Sequence, residues 1–228
     1  MDILLIIIWV IVTFAVGSIA GLLGKRYGVE YPIALVAALV VMANIFANKI
    51  VVFGPFTVPA GVIVFSMTFF ITDLLSEKFG KKYAYKAVWA GFFANLLLII
   101  SIYIVLAWQP AVYATDISDM FTKVLALTPR IALAGFIAYI ISQNHDVWAF
   151  HFWKRKTRGK HLWFRNNAST ITSQLIDSII FITIAFYGVF PIMPLILGQW
   201  VVKIIIALID TPFMYITIWM IDKTKTKN

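Results

Sequence analysis

The sequence predicts an all-α integral membrane protein, a single polytopic helical bundle with six core spans plus one extra N-terminal span. Three observations lead there. Of the 228 residues, 62% are hydrophobic and only 13% are charged, whereas a soluble domain carries about 25% charged residues. Mean hydropathy is +0.93. The apolar residues come in runs long enough to cross a bilayer, separated by short basic loops. A chain of this length has no interior large enough to hide so many apolar side chains, so lipid must cover them. Cysteine is absent, which removes disulfide, iron–sulfur and thiolate chemistry.

The net charge of +9 would suit nucleic acid, but its distribution argues otherwise. The basic residues sit in loops between apolar spans, where they encode topology. The expected partners are the lipid bilayer and a small molecule, with no nucleic acid. The chain begins Met1-Asp2 and lacks a basic leading segment, so a cleaved signal peptide is not expected.

The first span covers about Ile3 to Leu23 and precedes Lys25 and Arg26. Gly17 and Gly21 lie one turn apart, a spacing that permits close helix packing within the chain or in a homodimer. The second span, about Pro32 to Val52, carries Asn44 inside it. Gly54-Pro55-Phe56 turns the chain into the third span, about Val58 to Leu75. That span ends in ITDLLSEKFG, residues 71–80, where Asp73 and Glu77 sit one helical turn apart on one face. The fourth span, about Tyr83 to Trp108, holds Asn95. The fifth, about Met120 to Gln143, contains Pro129-Arg130 and finishes at Gln143 and Asp146. Trp148 to Asn167 is basic and Trp-rich, suited to a membrane interface. The sixth span is about Ala168 to Tyr187, and the seventh, about Pro194 to Ile221, carries Lys203 and Asp210. Lys223, Lys225 and Lys227 close the chain.

Seven spans with the N-terminus outside place all but four of the 19 Lys and Arg at the inner face, the four being Lys49, Lys123, Arg130 and Lys203. The positive-inside rule therefore predicts an N-out, C-in chain with the 154–165 loop in the cytoplasm.

Charges within spans are costly, at ~3 kcal/mol each on insertion scales. Arg130 and Lys203 balance Asp177 and Asp210. In the sixth span Thr170, Ser173, Gln174, Asp177 and Ser178 recur every three to four residues, forming one polar stripe on an apolar helix. A structural ion pair such as Asp177–Lys203 would not need the hydroxyls and amides beside it, so the stripe points to a substrate pathway. Asp73 and Glu77 then lie near its inner mouth, Asp73 within reach of substrate and Glu77 as an inner gate or helix-end ion pair. His145, His151 and His161 lack a metal-ligand set around them. No nucleophile–base pair, GxSxG or phosphate loop is present. Neither an enzyme nor a cofactor is expected.

Several motifs then line up in order: ITDLLSEKFG at 71–80, RIALAGFIAYIISQNHDVWAFHFWKRK at 130–156, RNNASTITSQLIDSIIFITIAF at 165–186 and QWVVKIIIALIDTPFMY at 199–215. This series resembles the queuosine-precursor transporter family, also called vitamin uptake transporters, over about Ile33 to Tyr215. The resemblance implies import of 7-deazaguanines such as preQ0 and preQ1, flat bases used to make queuosine or archaeosine. It also implies a bundle of six helices. Residues 27–228 would be that core and residues 1–26 an added helix. The implied location is the plasma membrane.

The candidate substrate-binding residues are Asn44, Asp73, Arg130, Gln143, Asp146, Gln174, Asp177 and Lys203. A carboxylate can accept two adjacent N–H donors from a guanine-like edge. Asp177 or Asp73 is expected to do so, with Gln174 and Gln143 completing the edge and Arg130 or Lys203 keeping the acids charged. Proton symport and facilitated diffusion both remain open. The alternative function is the substrate-binding subunit of an energy-coupling vitamin importer, which would need a membrane partner and two ATPases.

Overall fold

In the computed structural model, residues 3–126, 129–188 and 191–224 are described. Lys225 and Lys227 of the basic tail, and Met1-Asp2, lie outside them. The elements in chain order are α1 (Ile3–Tyr27), α2 (Glu30–Phe46), β1 (Ile50–Phe53), β2 (Phe56–Pro59), α3 (Val62–Lys78), α4 (Lys81–Ala107), a 3-10 turn at Val112–Ala114, α5 (Thr115–Ala126), α6 (Pro129–Lys156), α7 (Leu162–Phe186) and α8 (Ile192–Lys223).

Helix α3 is the hub. From Val62 to Ser76 every residue except Phe65 is buried. A helix apolar on all sides needs neighbours on all sides, and α3 packs against α1, α2, α4, α6 and α8. Its contact with α1 depends on small residues. A Cβ at Gly17 would lie 2.5 Å from Met67 Sδ, and one at Gly21 would lie 2.5 Å from a Leu74 methyl. The Gly17–Gly21 face is thus used inside the chain. The opposite side of α1 exposes Leu4, Ile8, Ile11 and Ile19, as a lipid-facing helix should.

Among the described residues, four helices are long and apolar enough to cross a bilayer: α1, α4, α7 and α8. Helices α2 and α3 have 17 residues each, ~26 Å of rise against a hydrocarbon layer of ~30 Å. The all-α membrane class holds, while seven separate spans are not all evident from length and composition.

Three boundaries differ from the sequence reading. Residues 50–59 are not helix ends but an antiparallel hairpin, with Val51 opposite Val58 and Phe53 opposite Phe56. Its strands are β-branched and aromatic, and Gly54 takes φ +59 at the first turn position, where a hairpin turn requires positive φ. The expected fifth span is two helices. Helix α5 is amphipathic, with Asp116 and Asp119 on it and Ile117, Met120 and Val124 exposed. Pro129 then starts α6 at a position that needs no N–H partner. The basic segment 148–167 is not a separate interfacial element. Helix α6 runs on to Lys156, a turn follows with Arg158, Gly159 and His161 at positive φ, and α7 begins at Leu162.

The helix ends sort by charge. Lys154 reaches Glu77, Lys78 pairs with Asp222, and a Cβ at Gly24 would touch Phe79. These contacts gather the ends of α1, α3, α6 and α8 with the start of α7 into one basic end. The hairpin sits at the other end, near Asn44, Gly135 and Gln199.

Candidate functional site

Polar side chains fill the bundle interior in layers from the hairpin end to the basic end, and α7 contributes to each. Its buried face includes Arg165, Asn166, Ser169, Thr170, Ser173, Gln174, Asp177, Ser178 and Phe181, which takes in the five-residue stripe from Thr170 to Ser178 evident from spacing. Ser169 donates to the Asn166 carbonyl at 3.1 Å and Ser173 to the Ser169 carbonyl at 2.8 Å. Back-bonding of this kind lets hydroxyls sit inside an apolar helix without a lost donor.

The layer nearest the hairpin is a small cavity of about 50 Å³. Asn44, Gly61, Phe65, Gly135, Asp177, Phe181, Gln199 and Lys203 line it. Lys203 donates to Asp177 Oδ2, and Ser142 donates to Oδ1 at 3.2 Å. The ammonium also lies 5.0 Å from the centre of the Phe65 ring, a cation–π distance. Gln199 Oε1 is buried without a partner. Gly61 and Gly135 let backbone approach: a Cβ would lie 2.3 Å from the Ala43 carbonyl at Gly61 and 2.9 Å from Asn44 Oδ1 at Gly135. Two phenyl rings, an acid, an amine and amides around one space suit a flat ligand with hydrogen-bonding edges.

Beneath the cavity, Gln143 ties α6 to α3. Its Nε2 donates to Thr68 Oγ1 at 2.5 Å, and Thr72 donates to its Oε1 at 3.4 Å. Gln174 is 1% exposed, and neither end of its amide has a partner. The next layer is acidic. Thr170 donates to Asp73 Oδ2 at 3.1 Å, Asn166 donates to Asp210 Oδ1 at 2.9 Å, and Asp146 lies within hydrogen-bonding reach of Asp73. The last layer closes the basic end. Glu77 is held by Lys154 at 2.8 Å and by buried Arg165 at 2.6 Å. Arg165 in turn donates to the carbonyls of Gly159 and Lys160, which fixes the turn between α6 and α7.

Of the eight expected residues, Asn44, Asp177 and Lys203 meet at the cavity. Asp73, Gln143, Asp146 and Gln174 are buried below it. Arg130 is elsewhere. It is exposed at the start of α6, donating to the carbonyls of Ile184 and Tyr187 at 2.5 and 2.8 Å. There it caps the end of α7, and it is not among the residues that line the cavity. Phe65, Phe181 and Gln199 were not among the expected residues. Gln199 shares a helix face with Lys203, a signal already present in the spacing. The rings had no signal, since nothing in the sequence separates them from the many lipid-facing Phe. Arg165, assigned to a cytoplasmic loop, is 1% exposed inside the bundle. Among the described residues, no group of three or more His, Cys, Asp or Glu is placed to hold a metal ion.

The family described as "Putative vitamin uptake transporter" matches residues 59–217, which takes in every expected site residue but Asn44. A "Probable queuosine precursor transporter" of Bacillus subtilis (strain 168) is 35% identical over 180 residues, 77% of this chain and 78% of that one. The "Queuosine precursor transporter" of Escherichia coli (strain K12) is 30% identical over 130 residues, 56% of this chain and 54% of its own. A "Probable queuosine precursor transporter" of Haemophilus influenzae is 29% identical over 129 residues, 56% of this chain and 51% of its own. No solved structure matches.

Proposed function

The chain belongs to the vitamin uptake transporter family, and on that premise we propose that it carries queuosine or archaeosine precursors, 7-deazaguanine bases such as preQ0 and preQ1, into the cell. It is a membrane transporter and not an enzyme. The relatives' names support the precursor class. The observation that carries the reading is the Asp177–Lys203 pair at the cavity wall, with Phe65 and Phe181 in the same lining. Asp177 accepts the donor edge of the base, Gln199 and Asn44 meet its neighbouring groups, and a ring covers its face. Lys203 fixes the Asp177 carboxylate at the cavity wall.

In this reading the chain crosses the plasma membrane seven times, N-out and C-in. The hairpin and α5 lie at the outer surface, and the turn at 154–165 lies in the cytoplasm. The cavity then opens outward, and the Glu77 layer closes it inward. Residues 27–228 form the six-helix transporting core, and α1 is an added helix packed on it.

Equilibrium binding of labelled preQ0, preQ1, queuine and guanine to the purified protein tests the substrate. Binding of a 7-deazaguanine is expected, and no binding of any of the four would overturn the proposal. Uptake by the protein alone in liposomes is also expected. A requirement for ATPase partners would instead make it the binding subunit of an energy-coupling importer.

A further inference from the structure

The acidic layer has more acceptors than donors. Asp73, Asp146 and Asp210 are 1%, 0% and 2% exposed, on three different helices. Among the described residues the buried cations are Lys203 and Arg165, and both are engaged elsewhere, with Asp177 and Glu77. Neither cation forms an ion pair with any of the three acids. Neither oxygen of Asp146 has a hydrogen-bond partner, and neither does Asp73 Oδ1. Ser169 and Ser173 stand beside Asp146, but their hydroxyls donate to backbone carbonyls. A second observation comes from an amide rather than an acid. Asn166, also 1% exposed, donates through Nδ2 to Asp210, and its Oδ1 is left buried without a donor. The layer lacks hydrogens.

Two adjacent carboxylates in a dry site cannot both stay ionised. At a few ångströms their repulsion is many times thermal energy when water is excluded, and such pairs hold a proton between them. A bound proton supplies both missing things, a positive charge and a donor. A metal ion has no suitable ligand group among the described residues. We propose that Asp73 and Asp146 form a proton-binding site, separate from the substrate cavity, which couples transport to a proton gradient.

Position supports coupling. Along α7, Thr170 beside Asp73 is seven residues from Asp177, ~10 Å along the axis. Glu77 of the inner closure lies one turn beyond Asp73 on α3. The proton site is therefore between the substrate cavity and the inner closure. Its occupancy sets the charge with which α3, α6 and α8 meet. Other titratable or charged groups facing this layer are Glu77 from α3, His145 from α6 (on Ser173 at 2.9 Å), Arg165 and Asp177 from α7, and Lys203 and Asp210 from α8. Among the described residues, α1, α2 and α4 bury no charged side chain.

The inference rests on the transport reading for its coupling, so two readouts are needed. The first uses no substrate: infrared spectra of the purified protein at neutral pH. A protonated-carboxyl band that shifts in D₂O and is lost in Asp146→Asn or Asp73→Asn is expected. Absence of that band overturns the proposal. The second uses proteoliposomes and labelled preQ1. With the outside one pH unit more acidic, one proton per substrate drives ~10-fold accumulation. Wild type should approach this value. Asp146→Asn and Asp73→Asn should lose it while substrate counterflow, which needs no gradient, persists. Wild-type counterflow without pH-driven accumulation, or accumulation driven by sodium instead, overturns proton coupling and leaves the transport reading standing. Absence of wild-type counterflow overturns the transport reading and coupling with it, while the infrared band still decides the proton site.

Discussion

Lys203 on α8 donates to Asp177 on α7, and both residues line the same cavity. The pair is at once a helix–helix link and part of a binding wall, and those two roles separate under mutation. Removing one partner of a buried pair leaves an uncompensated charge and costs ~3 kcal/mol or more, whereas removing both is often close to neutral. Lys203→Met alone should therefore lower the thermal midpoint sharply. Asp177→Asn with Lys203→Met should restore most of it. Neither variant should take up substrate, and Asp177→Asn alone should also fail at wild-type membrane abundance. Thermal unfolding in detergent and uptake in liposomes give the two readouts. Wild-type uptake by Asp177→Asn would remove the carboxylate from the binding site.

Phe65 stands under the Lys203 ammonium and meets Tyr139 edge-on at 6.1 Å. It is the one residue of α3 between Val62 and Ser76 that is not fully buried, because the cavity is on its free side. Phe65→Leu keeps much of the apolar volume and removes the flat face. Loss of a ring–ring contact of ~1–1.5 kcal/mol corresponds to roughly tenfold weaker binding. Titration of labelled ligand against the variant measures it. Unchanged affinity would place the stacking face elsewhere, with Phe181 the next residue to replace.

Much of this arrangement was legible because a polar residue inside an apolar helix has few explanations. The spacing of Thr170, Ser173, Gln174 and Asp177 located the buried face of α7, and Gln199, Lys203 and Asp210 located that of α8. What hydropathy could not do was separate kinds of apolar segment. Val51, Val52, Phe53 and Val58 suit a lipid-facing helix as well as a strand, and only the Gly54 turn marks the hairpin. Composition is also blind to partners. Arg165 lies in a basic run, but it is buried because Glu77, 88 positions earlier, faces it across the bundle. Hydropathy likewise runs through Arg130 without a break, although Pro129 starts a new helix there.

Arg130 is not among the cavity-lining residues, and among the described residues its hydrogen bonds go to the carbonyls of Ile184 and Tyr187. Arg130→Ala should lower the thermal midpoint by a few degrees through the loss of a helix cap. Uptake should stay within about twofold of wild type. A loss of uptake at normal abundance and stability would return Arg130 to the substrate path.

Gly61 begins the turn into α3 directly against α2. A Cβ there would sit 2.3 Å from the Ala43 carbonyl oxygen, a backbone atom that cannot swing away. Gly61→Ala must push α2 from α3 at the cavity wall, an overpacking strain of ~1–3 kcal/mol. Lower thermal stability and weaker ligand binding are expected together. Gly159→Ala, in the turn at the basic end, has open space around the added methyl but a φ of +77, so it should cost stability without changing affinity. Equal loss of affinity in both variants would mean that the effect is general and not local to the cavity.

The Glu77 cluster at the basic end is testable because the chain has no cysteine, so a single introduced thiol labels without background. Ser76 is 1% exposed, one residue before Glu77, and its hydroxyl has no partner. Ser76→Cys therefore replaces no hydrogen bond. With Glu77 holding both Lys154 and Arg165, that thiol should react slowly with a membrane-impermeant reagent added at the basic end. Glu77→Gln removes the charge that draws the two cations together while keeping the side-chain size. The basic end should then open more often, and labelling at position 76 should rise several-fold. If Glu77 is a gate, substrate added at that end should raise labelling further in the variant. If it is a structural pair alone, labelling will track thermal stability and will not respond to substrate.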